Sequence, residues 1–211
     1  MKKIAIVNYG CGNILSLSRA IEEIGYKSEL TKEQSNILKS DLLILPGVGA
    51  FGNAMELLKK NNLINTLNEY VKIKQKPLLG ICLGMQLLLS KSHEMGEHDG
   101  LNFIEGEAVD IKIKSKRKDI KSPHISWNEI LVNSQDHQKI VPEELIKKSF
   151  YFIHSFMSLT KEKKHTLAFC KYYDLEIPAV IKYDNIVGCQ FHPEKSGKNG
   201  LMLLKNVINT L

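Results

Sequence analysis

Three four-residue apolar runs, each ending in a glycine-bearing loop, set the terms on which this chain can fold. Ile4-Ala5-Ile6-Val7 leads to Gly10-Cys11-Gly12-Asn13, Leu42-Leu43-Ile44-Leu45 to Pro46-Gly47-Val48-Gly49, and Leu78-Leu79-Gly80-Ile81 to Cys82-Leu83-Gly84. Runs this short and this uniformly apolar suit strands buried on both faces. After the first, Ile14, Leu17, Ile21 and Ile24 recur at helical spacing, with Gly25 as a C-terminal cap. A weak strand is predicted over 26–30 and helices over 53–60 and 63–73. Strands alternating with helices predict a mostly parallel central sheet covered on both faces, an α/β architecture. Ligands bind such sheets at the carboxyl ends of the strands, which is where the three loops fall.

The second half changes character. Val109, Ile111 and Ile113 alternate with polar residues and predict a half-buried strand. Further strands are predicted over 127–132, 150–156, 166–172, 179–183 and 186–191, before a closing helix over 197–211 that presents Leu201, Leu204 and Ile208 on one face. No linker, repeat or low-complexity stretch interrupts the pattern, so one domain over 1–211 is expected. With 211 residues, 43% of them hydrophobic, the chain can bury a sizeable core.

Charge excludes more than it assigns. The net charge of +6 comes almost wholly from lysine, because Arg19 and Arg117 are the only arginines. Bidentate recognition of bases and phosphates favours arginine, so a nucleic-acid partner is not expected. The lysines between 112 and 121 read as a solvated hairpin rim rather than a phosphate site. Cys11, Cys82, Cys170 and Cys189 lack metal-type spacing, and neither a metal nor a cofactor is expected. The start runs straight into a strand, and no stretch of 18 apolar residues occurs, so a reduced, cytoplasmic protein without a membrane partner is predicted.

Cys82 carries the chemistry. Gly80 and Gly84 flank it closely at the end of a strand, where a tight strand-to-helix turn would lift a thiol above the sheet edge. The start of a helix favours thiolates and points free N–H groups at an oxyanion. A nucleophilic cysteine needs a base, and the base needs an orienting group. Among seven histidines, at 93, 98, 124, 137, 154, 165 and 192, His192 follows an apolar strand and precedes Pro193-Glu194. In extended chain Glu194 points to the same side as His192 and can accept its second N–H. Each piece also has an ordinary role, as a buried thiol, a turn histidine or a surface carboxylate. Their coincidence at strand ends suggests a Cys82–His192–Glu194 triad.

The ordered segments Asn8-Tyr9-Gly10-Cys11-Gly12-Asn13, Leu45 to Phe51, Leu79 to Gln86, Pro123-His124, Trp127-Asn128, Tyr151 to Ser155 and Gln190 to Ser196 resemble the class I (triad) glutamine amidotransferases. Within that family they are similar to the glutaminase subunits of imidazole glycerol phosphate synthase. The resemblance spans residues 8 to 196 and implies a flavodoxin-like fold with additional antiparallel strands in the second half. It implies that Cys82 attacks the side-chain amide of glutamine, that His192 protonates the departing ammonia, and that water then releases glutamate. Backbone N–H groups of Leu83 and of the Val48–Gly49 loop would meet the oxyanion, a peptide flip there completing the hole when a partner docks. Gln86, His154, Ser155 and Phe156 would hold the substrate. Ammonia would cross to a (β/α)₈ barrel cyclase subunit in a heterodimer, with Asn13, Trp127, Tyr151 and Lys195 at the interface, to form imidazole glycerol phosphate and aminoimidazole carboxamide ribotide in histidine biosynthesis.

Three positions depart from that family's usual pattern. Ser126 stands where glycine is common, Asn102 where another glycine is common, and Phe156 where tyrosine is common. Ser126 is expected to alter its loop or tighten the partner contact. An alternative acceptor follows from these departures: a barrel-paired enzyme making amidino sugars for surface polysaccharide or flagellar glycan. A Cys-His hydrolase of another small substrate and a silent structural subunit are the remaining readings, and the intact triad weighs against the second.

Overall fold

The computed structural model describes residues 2–132 and 139–211; His137 lies outside the described residues. The three apolar runs form β1 (Ile4–Val7), β3 (Leu42–Leu45) and β4 (Leu78–Ile81), with the predicted bounds. Helix α1 (Ile14–Glu23) follows β1, and the weak strand is β2 (Ser28–Thr31). Helix α2 (Gln34–Lys39) is short and was not anticipated, because only Ile37 of its six residues is buried and no periodic stripe betrays it. Between β3 and β4 run α3 (Phe51–Lys60) and α4 (Leu63–Asn68), the latter continued by a wider-wound turn over Glu69–Ile73. After β4 come α5 (Leu83–Leu87), β5 (Leu89–Ser92), β6 (His98–Asp99) and β7 (Ile104–Asp110).

The predicted strand through Ile113 is corrected here. The chain leaves β7 at Asp110, whose side chain accepts the Lys112 N–H and starts the one-turn helix α6 (Ile111–Lys114). Ile111 is buried while Ile113 is exposed, so alternation of two apolar residues mimicked a strand. The lysine-rich stretch is accordingly no hairpin rim. The remaining strands are β8 (His124–Glu129), β9 (Leu131–Val132), β10 (Ser149–His154), β11 (Phe156–Thr160), β12 (Thr166–Tyr172), β13 (Leu175–Tyr183) and β14 (Ile186–Cys189), closed by α7 (Gly197–Thr210).

An eight-stranded sheet runs β2-β1-β3-β4-β14-β13-β12-β9, parallel from β2 to β14 and antiparallel beyond. Alternate residues of its parallel strands enter two cores. Ile4, Ile6, Leu42, Ile44, Leu79 and Ile81 join one with Leu17 and Ile21 of α1 and Leu203, Leu204 and Val207 of α7. Ala5, Val7, Leu43, Leu45 and Leu78 join the other with Phe51, Ala54 and Leu58 of α3 and Leu63 of α4. Burial on both faces explains why these strands read as unbroken apolar runs. A second sheet, β11-β7-β5-β6, and the ribbon β10-β8 stand apart from the main sheet. Among the described residues no helix is long and apolar enough to cross a membrane.

Adjacency in the sheet decides what can meet. Strand β4 lies between β3 and β14, in register through Leu45↔Gly80 and Cys189↔Ile81. The loops after those three parallel strands therefore converge on one spot at the carboxyl edge.

Candidate active site

At that spot the chain turns sharply. Cys82 takes φ 55° and ψ −111°, a sparsely populated conformation for a residue with a Cβ, between the end of β4 and the start of α5. Holding it there costs about 1–3 kcal/mol, which the surroundings must offset. The Cys82 N–H donates to the Cys189 carbonyl at 2.8 Å, tying the turn to β14. Gly84 supplies the room: a Cβ there would lie 1.9 Å from the Leu45 carbonyl oxygen, so only glycine lets α5 start this close to β3. Crowding was the reason for expecting glycines beside the cysteine, and the geometry bears it out.

Around Cys82 opens a cleft of about 320 Å³ lined by Val48, Gly49, Leu83, Gln86, Glu94, Pro123, Ile153, His154, Ser155, Phe156, His192 and Lys195. Every predicted oxyanion and substrate position is among these residues. A larger cavity, about 1040 Å³, lies at a different place beside Lys72, Phe103, His165 and Tyr183 and holds none of the candidate residues. Size does not mark the site here; convergence of reactive groups does.

Cys82 is 7% exposed and His192 3%. His192 Nδ1 sits 2.8 Å from Glu194 Oε1, which leaves Nε2 for the hydrogen bond to Cys82. Burial alone would lower the imidazole, but hydrogen bonds to Cys82 and Glu194, with the charge those groups carry, push it up to about 10. The pairing is the one predicted, yet its local form differs. Pro193–Lys195 make one tight helical turn rather than extended chain, capped by His192. Ser196 Oγ closes the turn by donating to the His192 carbonyl at 2.6 Å while accepting the Tyr151 N–H at 3.0 Å. The His192 N–H donates to the Tyr151 carbonyl, so His192 is bolted to β10.

Leu83 begins α5, where helix geometry supplies its N–H with no acceptor. The facing loop carries Gly49 at φ 95°, with open space where a Cβ would be, so its peptide can turn without a clash. The Tyr9 hydroxyl fastens the loop by donating to the Pro46 carbonyl at 2.7 Å. Burial raises the Tyr9 phenol far above its usual range, helped by negative charge on Cys11 and Cys82.

The residues predicted to hold substrate, Gln86, His154, Ser155 and Phe156, line one wall of the cleft. Gln86 donates from Nε2 to the Phe156 carbonyl at 3.0 Å and to Gln190 Oε1 at 3.2 Å, so its own Oε1 is what it can offer a ligand. His154 donates from Nδ1 to the same Phe156 carbonyl at 2.7 Å, and its Nε2 lies 3.0 Å from His124 Nδ1. Its ring is therefore a fixed wall. Burial holds His154 down at about 3, with the neighbouring His124 adding to the effect, and burial lowers His124 too. Ser155 is the bend between β10 and β11.

Three of the four predicted interface residues form one patch. Trp127 and Tyr151 are cross-strand partners in the β8–β10 ribbon with ring centroids 5.8 Å apart, and Lys195 Nζ stands 6.0 Å from the Tyr151 ring. Trp127 is 56% exposed and Ile125 54%, so this side of the ribbon faces solvent. Asn13 stands apart from them in sequence, at the start of α1 on the carboxyl edge.

Two departures now have physical accounts. Asn102 adopts φ 52°, a conformation glycine takes freely and asparagine tolerates best among other residues, and its Oδ1 accepts from Ser90 Oγ at 2.7 Å. Ser126 lies inside β8 rather than in a loop, and its hydroxyl contacts His124 Nε2 at 2.8 Å and Asn128 Oδ1. It faces inward, away from the Ile125–Trp127 side, so the expectation of an altered loop or tighter partner contact is corrected.

Sequence reasoning missed Glu94 and Gln190 as site residues. Glu94 Oε2 accepts the Phe51 N–H at 2.6 Å at the start of α3 while bordering the cleft. Gln190 is fully buried in the run after β14, and its Nε2 lies 3.9 Å from Cys82 Sγ. A polar residue amid Val187-Gly188-Cys189-Gln190-Phe191 was the available signal, because buried amides must find partners.

Known proteins share this organisation. The chain is 41% identical over 212 residues, covering 99% of each protein, to imidazole glycerol phosphate synthase subunit HisH 1 of Legionella pneumophila (strain Paris). It is 41% identical over 204 residues, 96% of each, to the HisH subunit of Carboxydothermus hydrogenoformans. Its fold matches that of PurLQS from Thermotoga maritima with a TM-score of 0.71 at 17% identity, over 99% of both chains. The family described as glutamine amidotransferase class-I matches residues 5–210. A cysteine elbow beside a carboxylate-held histidine, carried on this sheet over the whole matched length, thus belongs to the class-I glutamine amidotransferases, and so does the chain.

Proposed function

We propose that the chain is the glutaminase subunit of an imidazole glycerol phosphate synthase, with Cys82, His192 and Glu194 as its catalytic triad. The observation that carries it is the strained Cys82 turn sharing one cleft with a histidine whose far nitrogen is held by Glu194 at 2.8 Å. Support for the pathway comes from near full-length identity to proteins named as that subunit.

Cys82 Sγ attacks the side-chain carbonyl carbon of glutamine, and the carbonyl electron pair moves to oxygen. Leu83 N–H and an N–H of the Val48–Gly49 loop receive that oxyanion, each donor contributing about 3–4 kcal/mol to the transition state. His192, holding the proton it took from the thiol, gives it to the departing nitrogen, and ammonia leaves as the C–N bond breaks. His192 then takes a proton from water, whose oxygen attacks the thioester carbon. The C–S bond breaks, the thiolate returns, and glutamate departs. Glu194 keeps the His192 ring oriented throughout and balances its charge. Glu94 borders the cleft as a carboxylate suited to the substrate ammonium, and Gln86 Oε1 is an acceptor for the same end.

Ammonia passes to a (β/α)₈ cyclase subunit docked on the Trp127–Tyr151–Lys195 patch. An exposed Trp127 beside a half-buried Tyr151 has the aromatic character in which interface centres are enriched. Such docking over the strand ends excludes bulk water from the thioester. The four cysteines are free, in keeping with a reducing cytoplasm. Ser126 and Asn102 do not favour the amidino-sugar acceptor, because one faces inward and the other serves its own turn.

The test is glutamate release from glutamine by the purified chain, alone and with the histidine-pathway barrel subunit and its nucleotide. Weak activity alone and strong activity in that complex is the expected result. Activation only by a different barrel subunit would reassign the acceptor.

A further inference from the structure

One carbonyl oxygen orders the amides around the nucleophile. The Phe156 oxygen can only accept, and two side chains converge on it, His154 through Nδ1 at 2.7 Å and Gln86 through Nε2 at 3.0 Å. That fixes which end of the Gln86 amide faces inward. The second Nε2 hydrogen of Gln86 goes to Gln190 Oε1 at 3.2 Å, which fixes the Gln190 amide in turn. With its oxygen committed, Gln190 turns Nε2 toward Cys82 Sγ, 3.9 Å away. Flipping Gln190 would set its NH₂ against that of Gln86 and its oxygen against the sulfur. Gln190 is fully buried, so no water competes for its hydrogens.

The other groups at the sulfur do different work. The Ile153 carbonyl, 3.9 Å from Sγ, accepts a thiol hydrogen and opposes a thiolate. His192 stabilises the thiolate only while it keeps a proton, and it surrenders that proton to the leaving ammonia. Gln190 alone among these donors stays constant through the cycle.

We propose that Gln190 is a hydrogen-bond donor to the Cys82 sulfur that stabilises its negative charge both as attacking thiolate and as the thiolate released from the thioester. The proposal rests on Cys82 being the nucleophile. It makes Gln86 and the Phe156 carbonyl positioning groups for that donor, in addition to any contact they make with substrate. Because Phe156 opens β11 just beyond the bend that ends β10, a shift of the exposed ribbon is felt at the sulfur through these two amides.

The test is the pH dependence of Cys82 alkylation by iodoacetamide in the full chain without glutamine. The adduct is read on the Cys82 peptide by mass spectrometry, since Cys11 is also partly exposed. Titratable groups around the sulfur are His192, which Glu194 holds from its far side, Cys189 on β14 and Tyr9 after β1, with Glu94, His154 and Lys195 lining the same cleft, and all are retained in the variants. Gln190→Met keeps length and bulk and removes the amide hydrogens. Its alkylation midpoint is expected to rise by about one pH unit, a roughly tenfold loss of reactivity below the midpoint. In the complex, kcat for glutamine should fall while KM stays within about twofold. Gln86→Leu, which releases the Gln190 amide to rotate, should raise the midpoint by a smaller amount, and it decides the matter alone if Gln190→Met does not fold. A folded variant of either kind with the wild-type midpoint overturns the proposal. Protection of Cys82 is scored in parallel samples with glutamine added: its absence in the wild type would sink the glutaminase reading and leave the Gln190 result standing.

Discussion

His192 and His154 border the same cleft, both nearly sealed from solvent, yet they are perturbed in opposite directions. His192 is pushed up to about 10, while His154 is held down at about 3. Burial opposes the charged imidazole in both. What differs is the company each strand end provides. The turn after β14 brings Glu194 to within 2.8 Å of His192 and the elbow brings the Cys82 thiol, so a proton is welcome. His154 is left with its burial and the like charge of the His124 imidazole, which the Phe156 carbonyl, itself favouring a proton, does not offset, so a proton is refused. A buried histidine is made to hold a proton or to refuse one by its neighbours, and this cleft has one of each.

The contrast should break most completely at Cys82, the proposed nucleophile. Cys82→Ala should lower glutamine-dependent glutamate release by at least about ten-thousandfold, and adding His192→Asn should cost little more because the two act as a unit. Synthesis from added ammonium salts by the complex should survive both, and its loss would show that the chain does more than supply ammonia.

Removing the carboxylate attacks the comparison from the other side. Glu194→Gln keeps the shape but takes away the charge that holds the His192 proton, and kcat should fall by about a thousandfold or more. His124→Phe acts only through the wall, and a loss greater than about tenfold in kcat/KM would mean that the ribbon histidines do chemistry.

The elbow should also fail before the ribbon does in stability. Gly84→Ala places a Cβ 1.9 Å from the Leu45 oxygen and should cost about 3 kcal/mol or more in a denaturant titration. Trp127→Ala should change stability by less than about 0.5 kcal/mol, since the ring is mostly in solvent. The same change should weaken binding of the barrel subunit by about 2 kcal/mol.

The pH profile of stability sharpens the comparison directly, because the two histidines act on it with opposite sign. His192 binds its proton more tightly in the folded chain, so its contribution is complete below about pH 6.5 and is lost as pH rises to about 10. His154 binds its proton less tightly in the folded chain, so its contribution is complete above about pH 6.5 and erodes as pH falls toward about 3. His154→Gln should flatten the acid limb of the unfolding midpoint and leave the alkaline limb alone. A flattened alkaline limb instead would mean that the two environments are assigned the wrong way round.

How much of this was legible depended on which forces set each region. Strands buried on both faces announce themselves, so β1, β3 and β4 were found with their exact bounds, and the loops after them located the cleft. The cysteine elbow was readable because Gly80 and Gly84 leave a mark in the sequence. The α6 turn was not, because two isoleucines spaced by one residue look the same in a strand and in a single helical turn that buries only Ile111. Glu194 was paired correctly with His192 through reasoning about extended chain, although Pro193 in fact starts a tight turn. Gln190 and Glu94 escaped because their roles come from contacts across the fold, to Gln86 and to the start of α3. The inward face of Ser126 likewise depends on the register of β8 against β10, Ser126 opposite Phe152, which no local pattern states.

The measurement closest to the central claim is mass spectrometry of the chain, in complex with its barrel subunit, quenched in acid during turnover of glutamine. A glutamyl adduct on the Cys82 peptide, absent from Cys82→Ala, is the predicted result. Glutamate release with the adduct on another residue, or undiminished release by Cys82→Ala, would contradict it.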